Sequence, residues 1–260
     1  MQTDRTQSPW PAWAWRVGFA LLAAVYVSAL WGKAALVLPP PFDQWHQIPY
    51  RTLFWAWSAR VVPDWPPAHQ RLWYLFLEIW LFGLVLPVVA LRLLHRPLAD
   101  FGLAAPNRPG WRMTPLFMTA SIPVGFLLFA VLPMPPTTPA RFLVALVAMI
   151  PEHFLFFGVC LAAMLPRHRL TGAESGPHGR PGGWRDAARI DAATAFAILA
   201  VGALFCMAHA GKREPLETIL SFPAGLFSAY VTLRSGSIWP AVLAHWSLNL
   251  VPYFVLRAVA

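Results

Sequence analysis

The sequence has few cysteines, few acidic residues and little charge of either sign, and each shortage excludes a class of protein. Two cysteines in 260 residues cannot form the disulfide framework of a small secreted domain. Charged residues make up 12% of the chain, whereas they make up about 25% of a typical soluble domain. A chain that is also 58% hydrophobic is neither intrinsically disordered nor an ordinary water-soluble enzyme.

Long apolar segments dominate what the sequence does contain. A helix needs about 20 mostly apolar residues to cross a bilayer. Seven stretches meet or nearly meet this length: 17–38, 72–91, 113–132, 142–165, Ala192–His209, 216–233 and 238–256. The Trp- and Phe-rich segment 49–62 predicts an interfacial helix, or else an eighth crossing. We therefore predict an all-α fold, a polytopic transmembrane helical bundle of about seven to eight spans.

The charge distribution predicts the orientation of this bundle, with the N-terminus inside and the C-terminus outside. With the N-terminus in the cytoplasm, twelve of the 20 basic residues fall on the cytoplasmic side and eight on the other, which agrees with the positive-inside rule. No block of Lys and Arg with interleaved aromatics is present, so we expect no nucleic-acid partner. We expect an integral multi-pass protein of the bacterial inner (cytoplasmic) membrane, with the lipid bilayer as a partner.

The chain divides into two parts by this interpretation. Residues 1–70 are predicted to form an N-terminal tail, a first transmembrane helix and the interfacial segment, and residues 71–260 the core. The Gly-, Pro- and Arg-rich stretch 166–189 predicts a solvated connecting loop within that core. The sequence indicates no particular oligomeric state.

Ionisable residues within the apolar spans are the candidates for function, because such side chains are costly in a bilayer. They are Glu78, Glu152, His153, His209 and His245, with Asn249 as a neutral companion. Glu78 has no patterned companion, so we interpret it as structural or as part of a substrate path. Cys160 and Cys206 are interpreted as small packing residues, although Cys206, three residues before His209, leaves a thiol nucleophile as an alternative.

Helical spacing predicts that some of these groups share a face. Phe205 and His209 are four residues apart, as are His245 and Asn249, and such residues are neighbours on a helix. Three helices can therefore each direct a polar group, including Glu152, into one cavity. A carboxylate there can deprotonate water, a histidine can share the proton, and a His/Asn pair can donate hydrogen bonds to an oxyanion. These groups suffice for peptide-bond hydrolysis.

At these positions the sequence resembles the CPBP (Abi) family of intramembrane proteases, which includes the type II CAAX prenyl endopeptidases. That family has the motifs Glu-Glu-x-x-x-Arg, Phe-x-x-x-His and His-x-x-x-Asn/Asp on successive membrane helices. The last two motifs are complete here, and the segments 96–103 and 236–240 are also typical of the family. In the first motif Glu152 is present, but His153 stands where a second Glu is usual and Phe157 where the Arg is usual.

The resemblance implies a glutamic-type intramembrane endopeptidase that acts on a membrane-associated protein or peptide without a cofactor. It implies that Glu152 and His209 activate water and that His245 and Asn249 stabilise the oxyanion, with His153 and Phe205 in supporting roles.

Other interpretations of the same residues stay open. A zinc-dependent protease could use Glu152, His209 and His245 as ligands. A catalytically inactive scaffold or regulator of the same fold would explain why the Glu and Arg of the first motif are replaced. A transporter could also use buried Glu and His, although no inverted repeat is evident.

Overall fold

The computed structural model describes residues 61, 64–66, 69, 73, 77, 79–131, 146–147, 149–165, 190–209 and 215–259. The predictions for the span at 17–38, for nearly all of the segment 49–62, for Glu78 and for the loop at 166–189 lie outside these residues.

The regular secondary structure in the described ranges is entirely helical. The helices are α1 (Leu81–Leu93), a short 3-10 helix (Leu98–Phe101), α2 (Arg108–Val131), α3 (Met149–Met164), α4 (Ala192–His209), α5 (Pro215–Ser235) and α6 (Trp239–Val259). This confirms the all-α prediction for the described part of the chain. The bounds of α4 are those that the sequence predicts.

The start of α2 differs from the sequence prediction. The apolar run begins at residue 113, but the helix begins at Arg108. The Asn107 side chain explains the difference, because its Oδ1 accepts a hydrogen bond from the Gly110 backbone N–H at 2.8 Å. Such an N-cap satisfies a backbone donor at the helix start, so a polar turn can precede the apolar run.

Two of the described helices are long and apolar enough to cross a membrane, namely Arg108–Ala130 and Ala192–His209. Both expose large apolar side chains, including Leu127 at 66% and Phe196 at 68% of their surface. Apolar surface of this kind is expected where a helix faces lipid instead of water. The total of seven to eight crossings remains a prediction.

The helices approach one another closely at small residues, as is common in membrane bundles. A Cβ atom at Gly125 of α2 would overlap the Leu248 carbonyl oxygen of α6. Gly225 of α5 faces Gly202 of α4, and a Cβ built on Gly225 would lie 3.1 Å from the Gly202 Cα. The backbones of these two helix pairs are therefore almost in contact.

The segment of residues 98–107 holds several helices together at one end through hydrogen bonds. Its Gly102 carbonyl accepts the Ile238 N–H at 3.1 Å, and the Ser237 hydroxyl donates to the Ala104 carbonyl at 2.7 Å. Asn107 donates from its backbone N–H to the Ser235 carbonyl at 2.9 Å. These bonds fix the turn between α5 and α6, and hence the start of the helix that contains His245.

The most deeply buried helix is α3. Phe154, Phe156 and Phe157 have no solvent-exposed surface, and Gly158 lies so close to the Phe101 carbonyl that a Cβ would overlap it. The core of the molecule therefore surrounds α3, the helix that presents Glu152.

We expect Gly125→Ala to destabilise the protein. The added methyl group would overlap the Leu248 carbonyl oxygen, so α2 and α6 would have to separate. Overpacking of this kind typically costs about 1–3 kcal/mol. Thermal unfolding of the detergent-solubilised protein measures the effect as a lowered Tm.

Ala120→Leu is the matched control, because Ala120 is exposed on the same helix and the substitution adds a larger group. It is expected to leave Tm unchanged. Equal Tm values for the two variants would contradict the close approach of α2 and α6.

Candidate active site

Glu152 and His153 lie in α3 immediately before a wide turn of the helix. Residues Phe154–Cys160 are π-helical, so each backbone N–H in this stretch reaches one residue further back than in an α-helix. Such widened turns occur frequently at functional sites. Glu152 is half-buried, whereas His153 is completely buried. Adjacent helical residues point in different directions, so the two side chains contact different neighbours.

Glu152 meets His209 at the C-terminal end of α4. The Glu152 Oε1 and the His209 Nε2 are 3.6 Å apart, and the His209 residue is 7% exposed. The Phe205 carbonyl lies 2.8 Å from the His209 Nδ1. A carbonyl oxygen can only accept, so Nδ1 is the protonated nitrogen, and in the neutral ring Nε2 presents a lone pair toward the carboxylate.

In this orientation, a hydrogen-bond donor is required between the Glu152 carboxylate and the His209 Nε2. Two hydrogen-bond acceptors at 3.6 Å repel each other unless a proton or a water molecule lies between them. The pair can therefore bind a donor that offers hydrogen to both atoms.

The end of α4 is held in place by α5. The Thr218 hydroxyl donates to the His209 carbonyl at 2.9 Å, and the Cys206 thiol donates to the Thr218 carbonyl at 3.2 Å. The Thr218 bond satisfies a carbonyl in the last turn of α4, where carbonyls have no backbone N–H donor within the helix. Cys206 thus serves as a hydrogen-bonding and packing residue in this structure.

A continuous series of ring contacts connects His209 to His245 on α6. The ring centroids of Phe205 and His209 are 4.4 Å apart, as the four-residue spacing predicts, and those of His153 and Phe205 are 6.3 Å apart. The His153 ring lies 5.1 Å from the His245 ring. The structure therefore brings residues of α3, α4 and α6 together at one place.

Asn249 lies one helical turn beyond His245. Its Nδ2 donates a hydrogen bond to the His245 carbonyl at 2.9 Å, so its amide group lies beside the His245 backbone. Trp246 ties the same helix to the chain that precedes α3, because its indole N–H donates to the Leu146 carbonyl at 3.0 Å.

Phe157 stands where the resemblance leads one to expect an arginine, and the structure shows what it does there. It is completely buried, with its ring 5.1 Å from those of both His153 and Phe205. Aromatic side chains, namely Phe157 and Phe205, thus line this side of the site.

Two residues that position the site were missed at the sequence level. Thr218 contacts His209 from the following helix, and Trp246 bonds to a backbone carbonyl a hundred residues earlier. Thr218 belongs to no motif, Trp246 is a variable position of the His-x-x-x-Asn motif, and no local spacing signals either contact. In the described ranges, no three His, Cys, Asp or Glu side chains are grouped in a way that could hold a metal ion.

Residues 134–251 match the family model described as type II CAAX prenyl endopeptidase Rce1-like. This match supports membership of the CPBP family. The matched range includes Glu152, His209, His245 and Asn249, together with α3, α4, α5 and most of α6. No curated protein and no solved structure gives a significant match to the chain. CPBP membership, the helical fold and a membrane-embedded protease of the CAAX type are thus supported together.

We expect Thr218→Val to loosen the C-terminal turn of α4. Valine has nearly the shape of threonine but cannot donate to the His209 carbonyl, and an unsatisfied partner of this kind costs about 1–3 kcal/mol. Thermal unfolding should show a lowered Tm, and amide hydrogen exchange should be faster in the last turn of α4.

The control is Thr119→Val, at an exposed position of α2, which should alter neither quantity. If exchange in the last turn of α4 is the same in the Thr218→Val variant and the parent, Thr218 does not hold that turn.

Proposed function

We propose that the protein is a multi-pass, glutamic-type intramembrane endopeptidase that hydrolyses a peptide bond of a membrane-associated protein or peptide. The observation that supports this best is the separation of 3.6 Å between Glu152 Oε1 and His209 Nε2, with the other His209 nitrogen occupied by the Phe205 carbonyl. The proposal includes seven to eight spans in the bacterial inner (cytoplasmic) membrane.

The first step is the activation of water. A water molecule about 2.8 Å from both acceptor atoms can donate one hydrogen to Glu152 and one to His209. Both bonds draw electron density onto the water oxygen, and Glu152 takes a proton as the oxygen attacks the scissile carbonyl carbon. The same proton is then delivered to the leaving amine, which restores the carboxylate.

The second requirement is stabilisation of the oxyanion that forms on the substrate. The Asn249 Nδ2 carries two hydrogens, of which one is donated to the His245 carbonyl and the second can be donated to the substrate. The His245 ring supplies a further N–H. Donors fixed in place before the reaction are the largest single contribution in many hydrolases.

The phenylalanine side chains around the site favour the proposed hydrolysis. Phe156, Phe157 and Phe205 pack around the imidazole rings, with the Phe156 ring 5.6 Å and the Phe157 ring 5.1 Å from that of Phe205. Apolar walls exclude bulk water, and the hydrogen bonds to the developing charge are stronger as a result. The mechanism is proposed to need no cofactor.

An inactive scaffold or regulator is the second candidate. The observation that favours it is the burial of His153 and Phe157, which take the places of the usual Glu and Arg. The two candidates differ in one outcome. A double variant His153→Glu with Phe157→Arg would gain peptidase activity if the parent is an inactive scaffold, whereas an adapted enzyme does not need the change.

We expect Glu152→Gln to abolish cleavage while the protein stays folded and inserted in the membrane. Glutamine has the shape of glutamate but cannot act as a base, and a general base contributes about 10²- to 10⁴-fold to the rate. Two measurements apply. The purified protein is assayed with a farnesylated CAAX peptide reporter, and new protein N-termini are mapped in membranes that contain the parent or the variant.

Asp191→Asn is the matched control. The Asp191 carboxylate lies at the exposed start of α4, where a hydrogen bond from the Thr194 backbone N–H at 2.7 Å lowers its pKa, and asparagine caps helices equally well. The control should retain parental activity. Cleavage by Glu152→Gln at the parental rate would reject Glu152 as the base.

Asn249→Ala tests the oxyanion contact separately. Loss of one such donor typically lowers kcat by about 10²- to 10³-fold, because the contact forms only as negative charge develops, so KM should change little. Ser247→Ala is the control on the same helix, since the Ser247 hydroxyl bonds only one turn back, to the Leu243 carbonyl at 2.9 Å. Equal kcat values for the two variants would exclude Asn249 from the reaction.

A further inference from the structure

His153 is the one polar group of the site that the proposed mechanism does not use. Its ring is completely buried, and its Nδ1 lies 2.9 Å from the Met149 carbonyl, one turn back in α3. Because a carbonyl only accepts, Nδ1 is the donor, and the neutral ring has its lone pair on Nε2. That Nε2 is buried and has no hydrogen-bond partner among the residues that the structure describes.

A buried acceptor without a partner is destabilising. Its surroundings in α3 and α4 are mostly aromatic, because the rings of Phe157 and Phe205 lie 5.1 and 6.3 Å from that of His153. Neither phenyl ring can donate a conventional hydrogen bond. The neighbouring ring that can do so is His245, whose centroid is 5.1 Å away and whose plane is tilted by 53°.

We propose that His153 is a positioning residue, whose Nε2 accepts a ring N–H of His245 and thereby turns the other ring N–H of His245 toward the substrate oxyanion. The inference rests on the proposed function. At this centroid separation, rotation of the His245 ring can bring the two nitrogens to hydrogen-bond distance, about 3 Å. This hydrogen bond gives the His153 Nε2 a donor and fixes the orientation of the His245 ring.

A ring that donates from both nitrogens is an imidazolium, so His245 acts as a cation in this arrangement. The described ionisable groups that take part in the same site are Glu152 and His209 on α3 and α4. The Glu152 carboxylate is anionic before the attack and the oxyanion is anionic after it, and each favours a cationic His245. No proton is consumed, because His245 keeps both hydrogens when the oxyanion collapses and the amine leaves.

Two amide substitutions separate this role from a merely structural one. His153→Asn places its amide near the position of Nδ1, so it retains the donor to the Met149 carbonyl and loses the acceptor. His153→Gln places an amide oxygen near the position of Nε2, so it retains the acceptor toward His245. A residue needed only for packing and for the Met149 bond would be rescued by Asn; an acceptor for His245 would be rescued by Gln.

We expect His153→Gln to keep kcat within about threefold of the parent. We expect His153→Asn, and His153→Phe as a size control, to lose about 10- to 100-fold in kcat with KM almost unchanged, as misplaced catalytic groups do. The assay is cleavage of the farnesylated CAAX peptide or of a substrate found by terminal mapping. The opposite order, with Asn active and Gln inactive, would overturn the inference.

A second measurement does not depend on turnover. A peptide phosphinate mimics the tetrahedral oxyanion, and its binding is measured as a thermal shift of the solubilised protein. The parent and His153→Gln should bind it equally, and His153→Asn at least about tenfold more weakly. Equal binding by all three proteins, or no binding by the parent, would refute the role of His153. A parent that binds the phosphinate but shows no Glu152-dependent cleavage would refute the proposed function alone.

Discussion

The site depends on one carboxylate that is held against one imidazole inside an apolar helical assembly. Glu152 is the sole acidic residue in the sequence between Asp100 and Glu174, and its Oε1 lies 3.6 Å from the His209 Nε2. A charge in such surroundings persists only when it is matched by donors and partners. The packing of the surrounding helices holds Glu152 and His209 at this separation.

Contacts elsewhere in the fold fix the relative positions of the helices that carry Glu152 and His209. Small residues let α2 approach α6, and the segment 98–107 fixes the turn from which α6 begins. The π-helical stretch after His153 sets the direction of the buried phenylalanines that surround the imidazole rings. None of these features belongs to the candidate site itself. They set the relative positions of the three helices that carry it, and in an active site a misplacement of about 1 Å can be costly.

The sequence predicts local geometry well and distant contacts poorly. The apolar run of α4 and the spacing of Phe205 and His209 follow from helical periodicity, and the structure has both. The π-helical turn breaks that periodicity without any distinctive residue, so the sequence did not indicate it. Thr218 and Trp246 act on partners in other helices, and only the three-dimensional packing reveals them. The roles of the catalytic residues, the metal-free chemistry and the substrate remain predictions.

The contact between Gly202 and Gly225 has a mechanical consequence. Between most helices, side chains can change rotamer and so accommodate a small displacement. At Gly202 and Gly225 the two helix backbones are in close contact without intervening side chains, so a displacement cannot be accommodated in this way. A change in the tilt of α5 is therefore transmitted directly to α4 and to the His209 imidazole at its end.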